Sequence, residues 1–249
     1  MSATIVLREP WRAHPLAWIH RAEARALAIE LGAPLRIFKG EGGLLRLSDP
    51  VMLRAVGRLT AAGIPYIGPG AAVMQLCYDK RAAADRLRIA GIDTPAEVTS
   101  YPMLIKPRRG SDSLGVRIAR SGPIPPDYLG QELLAGTEIT VAVLHETVGA
   151  PLRIELPPGT TYSFARKYVL PARRVPIVDK QAQKTALRIA TLFGVNWAAR
   201  VDFIRTADRL VFLECDVAPL VGVGSAFADS LAAGGMPRAE QLRRLILAA

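Results

Sequence analysis

The chain predicts a mixed α/β protein: a small open parallel sheet, followed by two units in which strands and helices are packed together. Three observations carry this. Residues 4–7, 35–38 and 64–67 are short apolar strands separated by helical segments, a β-α-β-α-β order that suits a small open sheet. Residues 199–204 and 210–216 are apolar strands joined by a tight turn at Thr206-Ala207-Asp208, which suits an antiparallel pair. Between these regions the apolar run 103–107 ends in Lys106-Pro107 and is followed by a loop of small residues and a second strand at 116–119.

Taken in order, a helix is expected over 15–31, stopped by Gly32, and another over 49–62 with Asp49 as N-cap and Pro50 in its first turn. One helix is expected over 71–90, carrying Asp79-Lys80 and ending at Gly91. Strands follow at 139–144 and 152–156. A polar, aromatic and basic segment over 161–168 leads through a Pro/Arg-rich loop to a helix over 178–193, capped by Gly194. After Pro219, a loop with Gly222, Gly224 and Ser225 precedes helices near 226–233 and 238–248. The expected division is residues 1–68, 69–137 and 138–249.

Composition narrows the class of function. At 249 residues, half of them hydrophobic, the chain can bury a real core, and it shows no low-complexity tract or repeat. No apolar run reaches the ~18 residues needed to span a bilayer. The N-terminal residues lack the order of a signal peptide, and Cys77 and Cys215 are too few for a disulfide framework or zinc site. A cytoplasmic enzyme working on small molecules, with no membrane partner, is expected. The net charge of +10 comes mostly from scattered arginines without interleaved aromatics, so no nucleic-acid partner is expected.

The strand pair holds the first chemical signal. Asp202, Glu214 and Asp216 sit within or at the ends of apolar strands, where acids need partners. Antiparallel pairing puts Asp202 roughly opposite Glu214, and Glu214 shares a strand face with Asp216. Three acids on one face repel each other unless a cation sits among them, and hard oxygen ligands suit Mg²⁺ or Mn²⁺. Ion pairs with Arg200 or Arg205, or a solvated face, answer the same pattern. Lys106 and the loop 108–116 supply a second signal: small residues let backbone N–H groups approach phosphate oxygens, and a lysine adds a point charge. A Gly/Ser loop is equally an ordinary hairpin connection. Cys215 alternates away from the acids, toward a core. His145 reads as a turn residue, and His14 and His20 as helix-surface residues.

The order of these signals resembles the ATP-grasp superfamily, and within it the D-alanine–D-alanine ligases. The resemblance is carried by Met74-Gln75-Leu76-Cys77-Tyr78-Asp79-Lys80, by Ile105-Lys106-Pro107 with Ser113-Leu114-Gly115, and by Leu134-Ala135-Gly136-Thr137-Glu138. It continues through Ala165-Arg166-Lys167-Tyr168, Ala199-Arg200-Val201-Asp202 and Leu213-Glu214-Cys215-Asp216 to Pro219. It covers residues 68–249. It implies an ATP-grasp fold in which two α+β subdomains grip ATP behind a reduced N-terminal α/β domain.

The resemblance implies an ATP-dependent ligase that joins a small-molecule carboxylate to an amine through an acyl phosphate, acting on amino acids or small peptides. Lys80 and Lys106 would contact ATP phosphates under a loop containing Ser113 and Gly115. Gln131, Glu132, Leu133 and Leu134 would form the adenine hinge, with Glu138 at the ribose. Lys167 would reach the terminal phosphates, and Tyr168 would lie near the substrate. Asp202, Glu214 and Asp216 would hold two Mg²⁺ or Mn²⁺ ions, and Arg200 would stabilise the oxyanion.

Ser225 would bind a substrate carboxylate, and Glu9 stands in for an acid that binds the first substrate. Leu220 stands where the ligases have a glycine whose N–H helps the oxyanion, a task that Gly222 is placed to take over. A homodimer is the expected assembly. The rivals are a tailoring ligase acting on a different carboxylate, a non-catalytic nucleotide-binding protein of the same fold, and, on charge alone, a nucleic-acid binder.

Overall fold

A computed structural model describes residues 5–10, 17–110, 114–155 and 172–247. Of the expected site residues, Ser113, Lys167 and Tyr168 lie outside them. Three sheets organise the described chain. In the first, β1 (Val6–Arg8) lies between β2 (Leu35–Ile37) and β3 (Leu44–Arg46), all parallel. The expected third strand over 64–67 contributes only a bridge between Ile67 and Leu44. The strand is Leu44–Arg46 instead: its arginine disguises it in the sequence, and a partner supplied by the following fold makes its burial tolerable.

Helix α1 (Ala17–Glu30) buries one stripe, which includes Ala24 and Leu27 but also His20 and Glu23. Helix α2 (Asp49–Ala61) starts one residue earlier than expected: Ser48 is the N-cap, with Asp49 in the first turn. The expected helix over 71–90 is two, α3 (Ala71–Tyr78) and α4 (Lys80–Ile89), broken at Asp79. Asp79 leaves helical geometry because its carboxylate caps α4 through the Arg81 and Ala82 amides and pairs with Arg108 Nη2 at 2.8 Å. Burial alone pushes the Asp79 carboxyl up, but the Arg108 and Ala82 hydrogen bonds and the Arg109 charge hold it below its usual range.

The second sheet has β4 (Met103–Pro107) between β5 (Arg117–Ala119) and β6 (Tyr128–Gln131), both antiparallel to it. The third is built from β7 (Thr137–Leu144), β8 (Thr147–Val148), β9 (Leu152–Glu155), β10 (Arg173–Pro176), β11 (Ala198–Arg205) and β12 (Leu210–Asp216). Its order is β10-β9-β7-β11-β12, with the short β8 also paired to β7.

The apolar run of β7 is explained by burial on both faces. Val141 and Val143 join the core under α5 (Lys180–Phe193), whose buried Ala182, Ala186, Ile189 and Phe193 recur at helical spacing. Ala142 and Leu144 join the core under α1, α6 (Ala226–Ala233) and α7 (Arg238–Leu245). Gly194 ends α5 in the left-handed region at φ 75°, as expected from its position. Among the described residues no helix is long and apolar enough to cross a membrane.

Candidate active site

The turn between β11 and β12 sets a register in which Asp202 faces Glu214 and Arg200 faces Asp216. A bulge follows Asp202, so the pairing shifts immediately beyond the acids. Directly opposed residues share a sheet face, and alternation keeps Arg200 with Asp202 and Glu214 with Asp216. Four charged groups therefore meet on one face.

Arg200 lies at their centre. Its Nε donates to Asp202 Oδ1 at 3.0 Å and its Nη2 to Asp202 Oδ2 at 3.0 Å. Glu214 and Asp216 lie 3.7 and 3.5 Å from the same guanidinium. Burial works against the arginine's charge, but Asp202, Asp216 and Glu214 together raise its pKa well above the ordinary value. Asp202 also accepts from Thr140 Oγ1 at 2.6 Å and is 3% exposed, whereas the Glu214 and Asp216 side chains are 28% and 24% exposed. Among the described residues no three His, Cys, Asp or Glu side chains are arranged as a ready metal cage. Cys215, between the two acids, turns into the core as expected. Its thiol is pushed well up by a hydrogen bond with Cys77 and by burial.

The lysines converge on the same place. Lys106, near the end of β4, is 7% exposed, and its pKa falls to about 8 through burial and the Lys80 charge, with Glu214 pulling the other way. Lys80 opens α4, donates through Nζ to the Gly110 carbonyl, and its backbone N–H donates to the Arg108 carbonyl at 3.0 Å. Gly115 sits at φ 74°, and a Cβ there would meet Tyr128 Oη at 2.9 Å, so glycine is required on both counts.

At the expected hinge, Gln131 is 3% exposed, and its Oε1 has no hydrogen-bond partner among the described residues. Glu132 accepts from the Ala96 amide at 3.0 Å and pairs with Arg209 at 3.4 Å. Leu133 is exposed and Leu134 half-buried. Glu138, also half-buried, lies near the start of β7 opposite Ile204.

A solvent-open cleft of about 670 Å³ is lined by Lys80, Gly110, Arg200, Glu214, Asp216 and Leu220, and by His20 and Asp49 from the N-terminal segment. His20 is thus a buried cleft residue, not the helix-surface residue expected, because α1 turns this face onto the loop after β12. Its position beside a buried Glu23 on the same helix was the missed signal: two polar residues on an otherwise apolar stripe.

Other expected residues are placed elsewhere. Glu9 is fully buried, accepts from Ser48 Oγ at 2.6 Å and does not line the cleft. Ser225 caps α6 through the Ala228 amide at 3.1 Å. The Gly222 N–H is committed to Glu23 Oε1 at 2.9 Å, so it does not substitute for the amide of Leu220.

The sequence pattern of the ATP-grasp domain family matches residues 77–217, more than half of the chain. The chain belongs to the ATP-grasp family. A D-alanine–D-alanine ligase of Syntrophotalea carbinolica is 29% identical over 225 residues, which cover 78% of this chain and 73% of that protein. One of Thermotoga petrophila is 29% identical over 74% of this chain and 71% of its own length. The fold likeness is broad. A Bacillus anthracis D-alanine–D-alanine ligase structure complexed with ATP superposes with a TM-score of 0.79 at 17% identity, covering 98% of this chain and 96% of that one. A D-Ala:D-Ser ligase from Enterococcus faecalis gives 0.71 at 24% identity, covering 85% of this chain and 74% of that one.

ATP-grasp proteins use ATP together with divalent metals, and two observations bear on whether these residues suit that pair. The buried, unsatisfied Gln131 Oε1 is an acceptor that an adenine amino group would satisfy. Glu214 and Asp216 present partly exposed carboxylates to the cleft. Mg²⁺ commonly takes only one or two protein carboxylates and completes its shell with water and phosphate, so it needs no three-residue protein cage. The residues fit.

The assignment of Lys106 to the ATP phosphates predicts that nucleotide binding depends on pH. Its neutral form is favoured above about pH 8, yet phosphate contact needs the charged form. ATP affinity is therefore expected to be level below about pH 8 and to fall by about tenfold per unit above it, because one pH unit corresponds to one decade of protonated lysine. Titration of ATP binding between pH 6.5 and 9.5 checks this. Lys106→Met should weaken binding at neutral pH and flatten the profile.

Proposed function

We propose that this chain is an ATP-dependent carboxylate–amine ligase that joins amino acids or small peptides through an acyl phosphate. The observation that carries the reading is the single sheet face holding Arg200, Glu214 and Asp216 at a cleft that Lys80 also lines, with Lys106 electrostatically coupled to both Lys80 and Glu214.

In the first step a substrate carboxylate oxygen attacks the γ-phosphorus of ATP and ADP leaves. In the second, an amine attacks the acyl carbon, phosphate leaves and the amine nitrogen loses a proton. Both steps gather negative charge on oxygen, so pre-placed cations do most of the work. Lys80 and Lys106 hold phosphate oxygens, joined in our assignment by Lys167. We assign the small-residue loop carrying Ser113 and Gly115 to the same phosphates. Gln131 through Leu134 seat the adenine, and Glu138 the ribose. Arg200 is held in place by its bidentate pairing with Asp202 and aims its remaining N–H groups at the developing oxyanion. Glu214 and Asp216, with Asp202 behind them, would hold Mg²⁺ or Mn²⁺. A bound divalent ion supplies charge neutralisation for the phosphates. Tyr168 is assigned to the substrate side.

The test is a panel of L- and D-amino acids, singly and in pairs, with ADP release measured with and without Mg²⁺ and products identified by mass. Mg²⁺-dependent ADP release with a condensed product of one pair is expected. Tight ATP binding without turnover on any pair would instead support the non-catalytic rival. Turnover with a carboxylate that is not an amino acid would support the tailoring ligase.

A further inference from the structure

The loop after β12 is gripped from behind by two buried charges that the reaction scheme leaves unused. Arg46, on β3, is fully buried, and Glu23, on α1, nearly so. Arg46 donates to Glu23 Oε2 from Nε at 2.9 Å and from Nη2 at 2.6 Å, and it stacks 5.9 Å from the centroid of the Trp197 ring. The pair does more than neutralise itself. Arg46 Nη2 also donates to the Pro219 carbonyl at 2.6 Å, while Glu23 Oε1 accepts from the Val221 and Gly222 amides. Three backbone groups within four residues are therefore tied to one ion pair of the N-terminal segment.

Peptide geometry gives this a consequence. In a trans peptide the C=O and the following N–H point in opposite directions. The Pro219 carbonyl points to the buried Arg46, so the Leu220 N–H in the same peptide unit points away from the interior. Leu220 lines the cleft, and among the described residues its N–H has no hydrogen-bond acceptor. We propose that Glu23 and Arg46 are positioning residues that aim the Leu220 N–H into the cleft lined by Arg200, where it donates to the oxyanion. The inference rests on the ligase reading. It makes the N-terminal segment part of the reaction's geometry without requiring it to touch the reacting atoms. It also explains a buried charge pair where an apolar core would otherwise do, since such a pair is by itself weak evidence of stability.

Two variants test it. Glu23→Gln keeps the side chain's shape and weakens the grip. The double variant Glu23→Leu with Arg46→Met removes all three loop bonds and leaves no unpaired buried charge, so the fold should persist. Amide exchange at 218–224 should rise in both variants. The kcat should fall about 10- to 100-fold, less than or similar to the loss of a whole oxyanion donor, while ATP affinity stays within about twofold. A folded double variant with unchanged kcat, or one that loses ATP affinity in step with kcat, overturns the proposal. So does unchanged exchange at Val221 and Gly222. A wild-type chain without turnover on any substrate pair sinks the ligase reading, and with it the catalytic part of the proposal, while exchange still decides whether the clamp holds the loop.

Discussion

Glu214→Ala is expected to abolish metal-dependent turnover while leaving the fold intact. The side chain is 28% exposed at the cleft, and its ion pair with Arg200 is long at 3.7 Å. Exposed or loose pairs of this kind contribute about 0–1 kcal/mol, so unfolding should shift little. Its value to the reaction is of a different order. A divalent ion on the transferring phosphoryl group is worth several kcal/mol of charge stabilisation, and each 1.36 kcal/mol is a decade in rate. On the metal assignment, loss of Glu214 should therefore lower kcat by about 10²–10³ or more. Steady-state ADP release across an Mg²⁺ series, beside a thermal melt, measures both sides. Turnover that survives unchanged sinks the metal assignment.

Arg200→Met should be damaging in two separable ways. Asp202 is 3% exposed, and without the guanidinium its carboxylate would keep only the Thr140 hydroxyl among the partners described above. Removing one member of a buried pair typically destabilises by about 3–5 kcal/mol, because the other charge stays buried. Removing a donor aimed at an oxyanion lowers kcat by about 10²–10³. Adding Asp202→Asn to Arg200→Met takes away the stranded charge and should recover most of the lost stability without recovering turnover. Denaturant melts and kcat, measured on the wild type, both single variants and the double variant, decide the matter. Recovery of turnover in the double variant would make Arg200 a structural counter-charge only.

These predictions depend on features of unequal visibility. The opposition of Asp202 and Glu214 was legible, because a short turn between two apolar strands leaves few registers and the alternation of side chains does the rest. Lys106 was legible at the end of its strand, and Lys80 only as a residue type within an expected continuous helix. What the sequence hid was Arg200's central place: a residue on the same strand as Asp202 is a neighbour in any reading, but its simultaneous approach to Glu214 and Asp216 exists only after pairing. The break at Asp79 was hidden for a similar reason. Local helix signals run unbroken through it, and the pull comes from Arg108, 29 residues further on.

The sequence by itself determined the family, most of the strands and helices, and the chemical types that meet at the cleft. These depend on periodicity, turn chemistry and the order of short motifs, all of which are local along the chain. Only the tertiary structure decided which charges are buried and with whom. Glu23 meets the Val221 amide across 198 positions, and Arg46 meets the Pro219 carbonyl across 173. No pattern along the chain encodes such a pairing, because a buried charge is satisfied by whatever the fold brings within about 3 Å of it. The fold likewise made Leu44–Arg46 a strand beside Val6–Arg8, put His20 on the cleft, and withdrew the Gly222 N–H from the role expected of it.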